Sequence, residues 1–184
     1  MPVFISMLRG VNVGAHNRIK MDPLRALFRS LGFEDICTYV QSGNVIFRTK
    51  EKNASKLSAT IQKEISRKCG FAPDVILRAT EEMRAAIRAN PFEKRTDIAP
   101  GKLLVTFLAS SPDAGAEKAL SELKGYPEEL HLRGRELYIY FPNGAGKSKL
   151  PWSKLDKLVG CTGTARNWNS VTKLLAMAEL LEQK

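Results

Sequence analysis

The sequence has few of the residues that build metal centres and disulfide frameworks. Its 184 residues include three cysteines and two histidines, and no two cysteines have a CxxC spacing. Both kinds of framework need clusters of such residues, so we expect neither a metal site nor structural disulfides. Reduced, widely spaced cysteines are typical of a cytoplasmic protein. They are Cys37, Cys69 and Cys161.

Long hydrophobic runs are also missing. The apolar run at residues 3–8 is far shorter than the roughly 20 residues that cross a bilayer. No basic segment precedes it and no small-residue cleavage site follows it, so we expect no signal peptide. We therefore predict a cytoplasmic location without membrane contact. The chain is 43% hydrophobic and 26% charged, which suits one domain, or two small domains that share a core.

Complete catalytic and cofactor motifs are absent as well. There is no HExxH, no Ser-His-Asp order in a motif context, and no suggestive pair of acids. Residues 143–148 resemble the end of a P-loop, but Phe141 stands where that motif needs glycine. We expect no bound cofactor. The loop is either a solvated turn or a secondary phosphate contact made by Lys147, Ser148 and Lys149.

Positive charge is plentiful and unevenly placed. The formal net charge is +10, and residues 133–173 hold eight basic side chains against two acidic ones. Such a segment is either a solvated basic face or a surface for phosphorylated small molecules or nucleic acid.

Apolar periodicity, broken by glycine and proline, predicts the same order of elements twice. Both halves read β-α-β-β-α-β, the ferredoxin-like unit. In the second half the pattern predicts a helix over 149–159 and a strand over 161–165. We therefore predict an α+β fold of two ferredoxin-like pseudo-repeats joined by a linking helix, with an extra C-terminal helix. The predicted divisions are 1–79, 80–101 and 102–184.

The first strand of each half is apolar on both faces. A single ferredoxin-like unit covers only one face of its sheet with helices, so we expect the second face to be covered too. The candidates for this cover are the partner repeat, the linking helix and the last helix.

Four segments resemble the domain-of-unknown-function (DUF) family 1697, in the order found in that family. The resemblance implies an α+β fold with duplicated ferredoxin-like halves and implies no particular activity. The segments are MLRGVNVG at 7–14, YVQSGNVIF at 39–47, NPF at 90–92 and TARNWN at 164–169.

A polar loop after the first strand is the leading candidate for an anion site. Gly10 and Gly14 allow a left-handed backbone and close approach, while Arg9, Asn12 and Lys20 supply charge and donors.

The turn Ser42-Gly43-Asn44 begins the third strand. In the predicted sheet that strand is the antiparallel neighbour of the first, so the turn should lie beside Arg9 and Gly10. The alternative is a tight turn with no binding role.

The entry to the last helix supplies a third set of residues. Arg166 lies just before a helix N-terminus, and Trp168 offers a ring for stacking on a base. Alternatively Asn167 or Asn169 only caps the helix and Trp168 only packs.

We predict a protein that binds a phosphate-bearing ligand, a nucleotide or nucleic acid, in a basic cleft between its halves. The alternative is a small enzyme of unknown reaction that acts on an anionic metabolite in the same cleft. His16 and Lys20 are then the proton-transfer groups. The sequence leaves open whether the protein is an enzyme.

Overall fold

The computed structural model describes residues 1–183, which form eight strands and six helices. The strands are β1 Val3–Leu8, β2 Glu34–Tyr39, β3 Asn44–Arg48, β4 Val75–Ala79, β5 Leu103–Leu108, β6 Glu129–Arg133, β7 Glu136–Tyr140 and β8 Gly163–Asn167. The helices are α1 Met21–Ser30, α2 Ala54–Cys69, α3 Thr80–Arg88, α4 Ala116–Ser121, α5 Trp152–Val159 and α6 Trp168–Glu182.

The chain divides into two compact units. The first unit takes Met1–Arg84 together with the residues from Lys173 onward, and the second takes Ala85–Thr172. The division falls within α3 and α6. The sequence-based division at residues 79 and 101 stays a prediction.

The first unit contains an antiparallel sheet of strand order β2-β3-β1-β4. Helices α1 and α2 pack on one face of this sheet through apolar stripes at helical spacing. Phe28 and Phe47 meet edge to face at the centre of that core. Asn53 accepts a hydrogen bond from Lys56 N–H at the start of α2, and left-handed Gly70 ends the helix.

The second unit contains an antiparallel sheet with the matching order β6-β7-β5-β8. The strand pairing of the two sheets also agrees in register. Ile5 of β1 lies opposite Arg78 of β4, and Val105 of β5 lies opposite Arg166 of β8. In each unit a helix follows the fourth strand without a gap: α3 after β4, and α6 after β8. The predicted α+β architecture is therefore confirmed as two four-stranded antiparallel sheets with six helices.

The central strands β1 and β5 are buried along nearly their whole length, as their apolar residues on both faces predict. Ile5 and Met7 lie on the face of β1 away from the α1–α2 core, and both are fully buried. Val105 and Tyr138 are equally buried on the corresponding face of the second sheet. There the Tyr138 hydroxyl donates a hydrogen bond to the Ala86 carbonyl of α3. The linking helix therefore covers part of this second face.

Tyr138→Phe is expected to lower the free energy of unfolding by about 1–2 kcal/mol, because the Ala86 carbonyl loses its donor. Burial raises the pKa of the Tyr138 hydroxyl. An unfolded chain therefore releases this proton first, and wild-type stability falls as the pH rises above about 10. Urea titrations at pH 8 and pH 10.5 measure both effects. If the free energy of unfolding of Tyr138→Phe falls between pH 8 and pH 10.5 as steeply as that of the wild type, the expected pH effect is contradicted.

Helix α5 and strand β8 differ in their boundaries from the sequence-based prediction. The helix predicted from residue 149 begins at Trp152, because Pro151 disfavours helical backbone at Leu150 and itself precedes the first turn. The strand predicted over 161–165 is β8, which runs to Asn167 because its polar residues pair with β5. Arg166 and Asn167 therefore belong to a sheet.

Candidate functional site

The loop after β1 is held closed by Asn12. Its side-chain amide donates to the carbonyls of Ile19 and Gln41, at 2.9 and 2.7 Å, and its Oδ1 accepts from Ile19 N–H. Asn12 has a left-handed backbone, φ 56°, and Val11 beside it is buried. Both amide hydrogens of Asn12 thus tie the loop to its own end and to the β2–β3 turn.

The Ser42-Gly43-Asn44 turn lies against this loop, where the sequence predicts it. The Gly43 carbonyl accepts a hydrogen bond from Leu8 N–H at 3.1 Å. Asn44 is fully buried, and its amide donates to the Tyr39 carbonyl and to Ser42 Oγ. The turn therefore has an internal polar network that fixes its shape.

The remaining predicted residues of the first unit differ in exposure. Arg9 is partly exposed, and its guanidinium lies 3.8 Å from the Asp74 carboxylate. Gly10, Gly14, His16 and Lys20 are all exposed. The structure thus joins Asn12 to the β2–β3 turn, pairs Arg9 with Asp74, and leaves Gly10, Gly14 and Lys20 exposed.

In the second unit Arg166 is 8% exposed and lies within the sheet. Its Nη1 donates to Thr164 Oγ1 and to the Ala165 carbonyl, each at 2.8 Å. Burial lowers the pKa of this guanidinium to about 10, which still leaves it charged at neutral pH. Asn167 caps α6 by accepting from Ser170 N–H at 2.9 Å, and Asn169 is exposed in the first turn.

Trp168 lines a cavity of about 180 Å³ within the second unit. The opposite wall comes from the loop after α3, where buried Phe92 packs edge to face on His131. Arg95 also lines this cavity, paired with Asp97 at 2.7 Å and lying 5.6 Å from the centre of the Tyr140 ring. The hydrogen bonds that the Arg95 guanidinium donates to the Asp97 carboxylate raise the pKa of Arg95. The other lining residues are Asn90, Glu93, Ile98, Pro100 and Leu103.

A larger cavity of about 420 Å³ contains all three predicted phosphate contacts, Lys147, Ser148 and Lys149. Both lysines are exposed, and neither forms an ion pair within residues 1–183. Ser148 Oγ accepts from Leu150 N–H, which leaves the hydroxyl hydrogen for a ligand. The other lining residues are Gly125, Tyr126, Pro127, Glu128 and Asn143.

The backbone of this loop does not form a P-loop cradle. Lys147 N–H and Ser148 N–H donate to the carbonyls of Gly144 and Ala145, in a short 3₁₀ turn. These two backbone donors are therefore used within the chain.

Sequence reasoning missed Glu128, which lines the same cavity. Its Oε2 is buried, and no donor within the described residues reaches it. A single acid ahead of a strand carries no motif, so no sequence signal marks it. Tyr126 and Arg95 likewise belong to no motif that the sequence shows, whereas Phe92 falls within the NPF segment at 90–92.

Residues 1–183 contain neither a metal-ligand cluster nor a membrane-spanning helix. No group of three or more His, Cys, Asp and Glu side chains is placed to hold a metal ion. None of the helices in this range has both the length and the apolar character needed to span a bilayer.

Comparison with known proteins identifies a family and a fold. A family model described as "Protein of unknown function (DUF1697)" matches residues 1–138. The search of curated proteins gave no match. Among solved structures, the conserved bacterial protein SP0830 from Streptococcus pneumoniae is similar, with a TM-score of 0.72 and 20% identity. The match covers 96% of this chain and 98% of that one, and at this identity it shows a shared fold.

Proposed function

The chain belongs to the DUF1697 family of proteins of unknown function, and we propose that it binds a phosphate-bearing ligand, a nucleotide or nucleic acid, through its second unit. The observation that carries this proposal is the cavity of about 420 Å³ that gathers Lys147, Ser148 and Lys149. Its volume falls within the range of small-molecule sites, about 300–1,000 Å³.

The charge and donors of this cavity suit phosphate. Two ammonium groups and a hydroxyl can each donate to phosphate oxygens, and charge-assisted hydrogen bonds of this kind are the stronger ones. Tyr126 adds an aromatic ring to the lining, which suits a base or another ring attached to the phosphate. A nucleotide carries both parts, so it fits the lining better than inorganic phosphate does.

We expect the double variant Lys147→Ala/Lys149→Ala to weaken binding of AMP and GMP by about tenfold or more, because two charge-assisted contacts are lost. Isothermal titration of the full chain measures the change. Lys52→Ala/Lys63→Ala, which removes two exposed lysines of the first unit, is the matched control and should bind as the wild type does. If both double variants weaken nucleotide binding equally, the loss comes from the lower net charge of the protein, and the proposal is contradicted.

The salt dependence of binding distinguishes a nucleotide from nucleic acid as the ligand. Binding of a short single-stranded RNA should weaken steeply between 50 and 200 mM salt if several phosphates are neutralised at once. A single nucleotide should show a much smaller dependence on salt.

We also propose that both units are ferredoxin-like repeats that arose by duplication and that the protein is cytoplasmic. The equal strand orders, the matching registers and the helix after each fourth strand support duplication. Cys37, Cys69 and Cys161 are free thiols, which is in keeping with a reducing compartment.

A further inference from the structure

The cavity beside Trp168 brings together two of the four segments that resemble the DUF1697 family. Asn90 and Phe92 of the segment at 90–92 line it, and Trp168 belongs to the segment at 164–169. Its volume of about 180 Å³ lies below the range of about 300–1,000 Å³ in which whole small-molecule ligands bind. The cavity therefore takes one ring or one side chain of a larger ligand.

The lining of this cavity offers a flat apolar surface and unused N–H donors. Phe92 and Leu103 are buried, and Trp168 is half-buried. Asn90 Oδ1 accepts from Phe92 N–H at 3.0 Å, while the amide nitrogen of Asn90 donates to no acceptor within residues 1–183. The indole N–H of Trp168 has no acceptor in that range either. A planar ring that carries acceptor atoms fits this lining, and every nucleobase has such atoms.

The charges around this cavity disfavour an anion inside it. Arg95 in the lining pairs with Asp97 at 2.7 Å and with Glu129 at 3.4 Å. The Glu93 carboxylate also belongs to the lining and is exposed. These four side chains carry three negative charges and one positive charge, so a neutral ring enters more readily than a phosphate does. A nucleotide would therefore place its base in the cavity and its phosphate outside.

Lys102 supplies a cation just outside this cavity. It precedes Leu103, is exposed, and takes part in no ion pair with any described residue. Its ammonium group donates to the Pro142 carbonyl at 2.7 Å, which leaves two N–H donors for a phosphate. Pro142 adjoins Asn143, which lines the larger cavity. Lys102 thus lies between the two cavities.

We propose, on the basis of the phosphate-binding function above, that the second unit binds single-stranded nucleic acid. One unpaired base enters the cavity beside Trp168, the adjoining phosphate lies on Lys102, and the strand continues to Lys147 and Lys149 in the larger cavity. Bases in a duplex are paired and stacked, so only an unpaired base can stack on an aromatic side chain in this way. A mononucleotide has one base and one phosphate group, so it makes only part of these contacts.

The first test compares ligands on the unaltered full-length chain. Fluorescence anisotropy measures binding of a labelled RNA of about 12 nucleotides, alone and paired with its complement, and isothermal titration measures binding of AMP. We expect the single strand to bind at least about tenfold more tightly than the duplex or AMP, because it alone fills both cavities. Attraction by net charge alone would favour the duplex, which carries more phosphates.

The second test uses variants of the two proposed contacts. Trp168→Ala should weaken single-strand binding by at least about fivefold, whereas Trp168→Phe keeps an aromatic ring and should stay within about twofold of the wild type. Both should bind AMP as the wild type does, because the larger cavity holds AMP.

Lys102→Ala removes an exposed side chain, so it tests the proposal even if Trp168→Ala fails to fold. It should weaken single-strand binding and reduce the dependence of that binding on salt, because one phosphate contact is lost. Lys118→Ala, which removes an exposed lysine of α4, is the matched control and should bind the single strand as the wild type does.

The outcomes separate the two proposals. If AMP binds but the duplex binds as tightly as the single strand, the single-strand site is overturned and phosphate binding stands. The same holds if Lys102→Ala, or a folded Trp168→Ala, leaves single-strand binding unchanged. If neither AMP nor either RNA binds, the proposed function fails and the single-strand site fails with it. A preference for the single strand that Lys102→Ala weakens and Lys118→Ala does not supports both.

Discussion

Gly43→Ala is expected to lower the free energy of unfolding of the first unit by about 3 kcal/mol. Gly43 has φ 72°, a left-handed conformation that costs an L residue about 1–2 kcal/mol. A Cβ at this position would also lie 2.5 Å from Val11 Cγ2 and 2.8 Å from Leu8 Cβ. These atoms belong to the buried start of the loop and the end of β1, so they can yield only by shifting both segments.

Gly10→Ala separates the two causes of this loss. Gly10 has nearly the same backbone, φ 67°, but a Cβ there would meet no heavy atom within 4 Å. We expect it to cost about 1 kcal/mol, from backbone conformation alone. Urea denaturation followed by amide hydrogen exchange of Ile5 and Ile46 measures the first unit, because both tryptophans lie in the second unit. Equal losses in the two variants would contradict the close approach at Gly43.

Most of the element pattern could be predicted from the sequence because local signals and tertiary packing agree. Helix α2 is an example: its apolar stripe, its capping Asn53 and left-handed Gly70 fix both ends locally. Strand β8 shows where local signals fail. Its last two residues are Arg166 and Asn167, which are typical of a loop, and they are strand only because β5 pairs with them.

The residues of the candidate site are harder to predict from the sequence than the secondary structure is. Lys147, Ser148 and Lys149 could be found because they are consecutive and resemble part of a known motif. Glu128 could not, since an unpaired oxygen is a property of the folded surroundings. Arg166 was predicted as an anion contact at a helix entrance, and its 8% exposure follows from the sheet that encloses it.

The two units place a buried arginine at the same point of their sheets. Arg78 is 1% exposed opposite Ile5, and Arg166 is 8% exposed opposite Val105. In both, Nη1 donates to the carbonyl of the preceding residue. A buried guanidinium is expensive unless it is well paired, so its presence at both positions indicates a shared structural requirement.

We expect Arg166→Ala to lower the free energy of unfolding of the second unit by at least about 3 kcal/mol. The change removes a large buried side chain and takes the donor from Thr164 Oγ1 and from the Ala165 carbonyl. Arg166→Met keeps the volume without the charge and should regain at least half of the loss, because it leaves no large cavity. Arg78→Ala should have a similar cost in the first unit, measured by hydrogen exchange.

Fluorescence of Trp152 and Trp168 during urea denaturation follows the second unit, and Lys154→Ala, which removes an exposed charge in α5, is the control. If Arg166→Ala unfolds at the same urea concentration as this control, Arg166 has no structural role. A separate titration with GMP then decides the role in binding. A stable Arg166→Met variant that still binds GMP assigns Arg166 to the fold, whereas one that folds but loses GMP makes the guanidinium a ligand contact, as the sequence predicts.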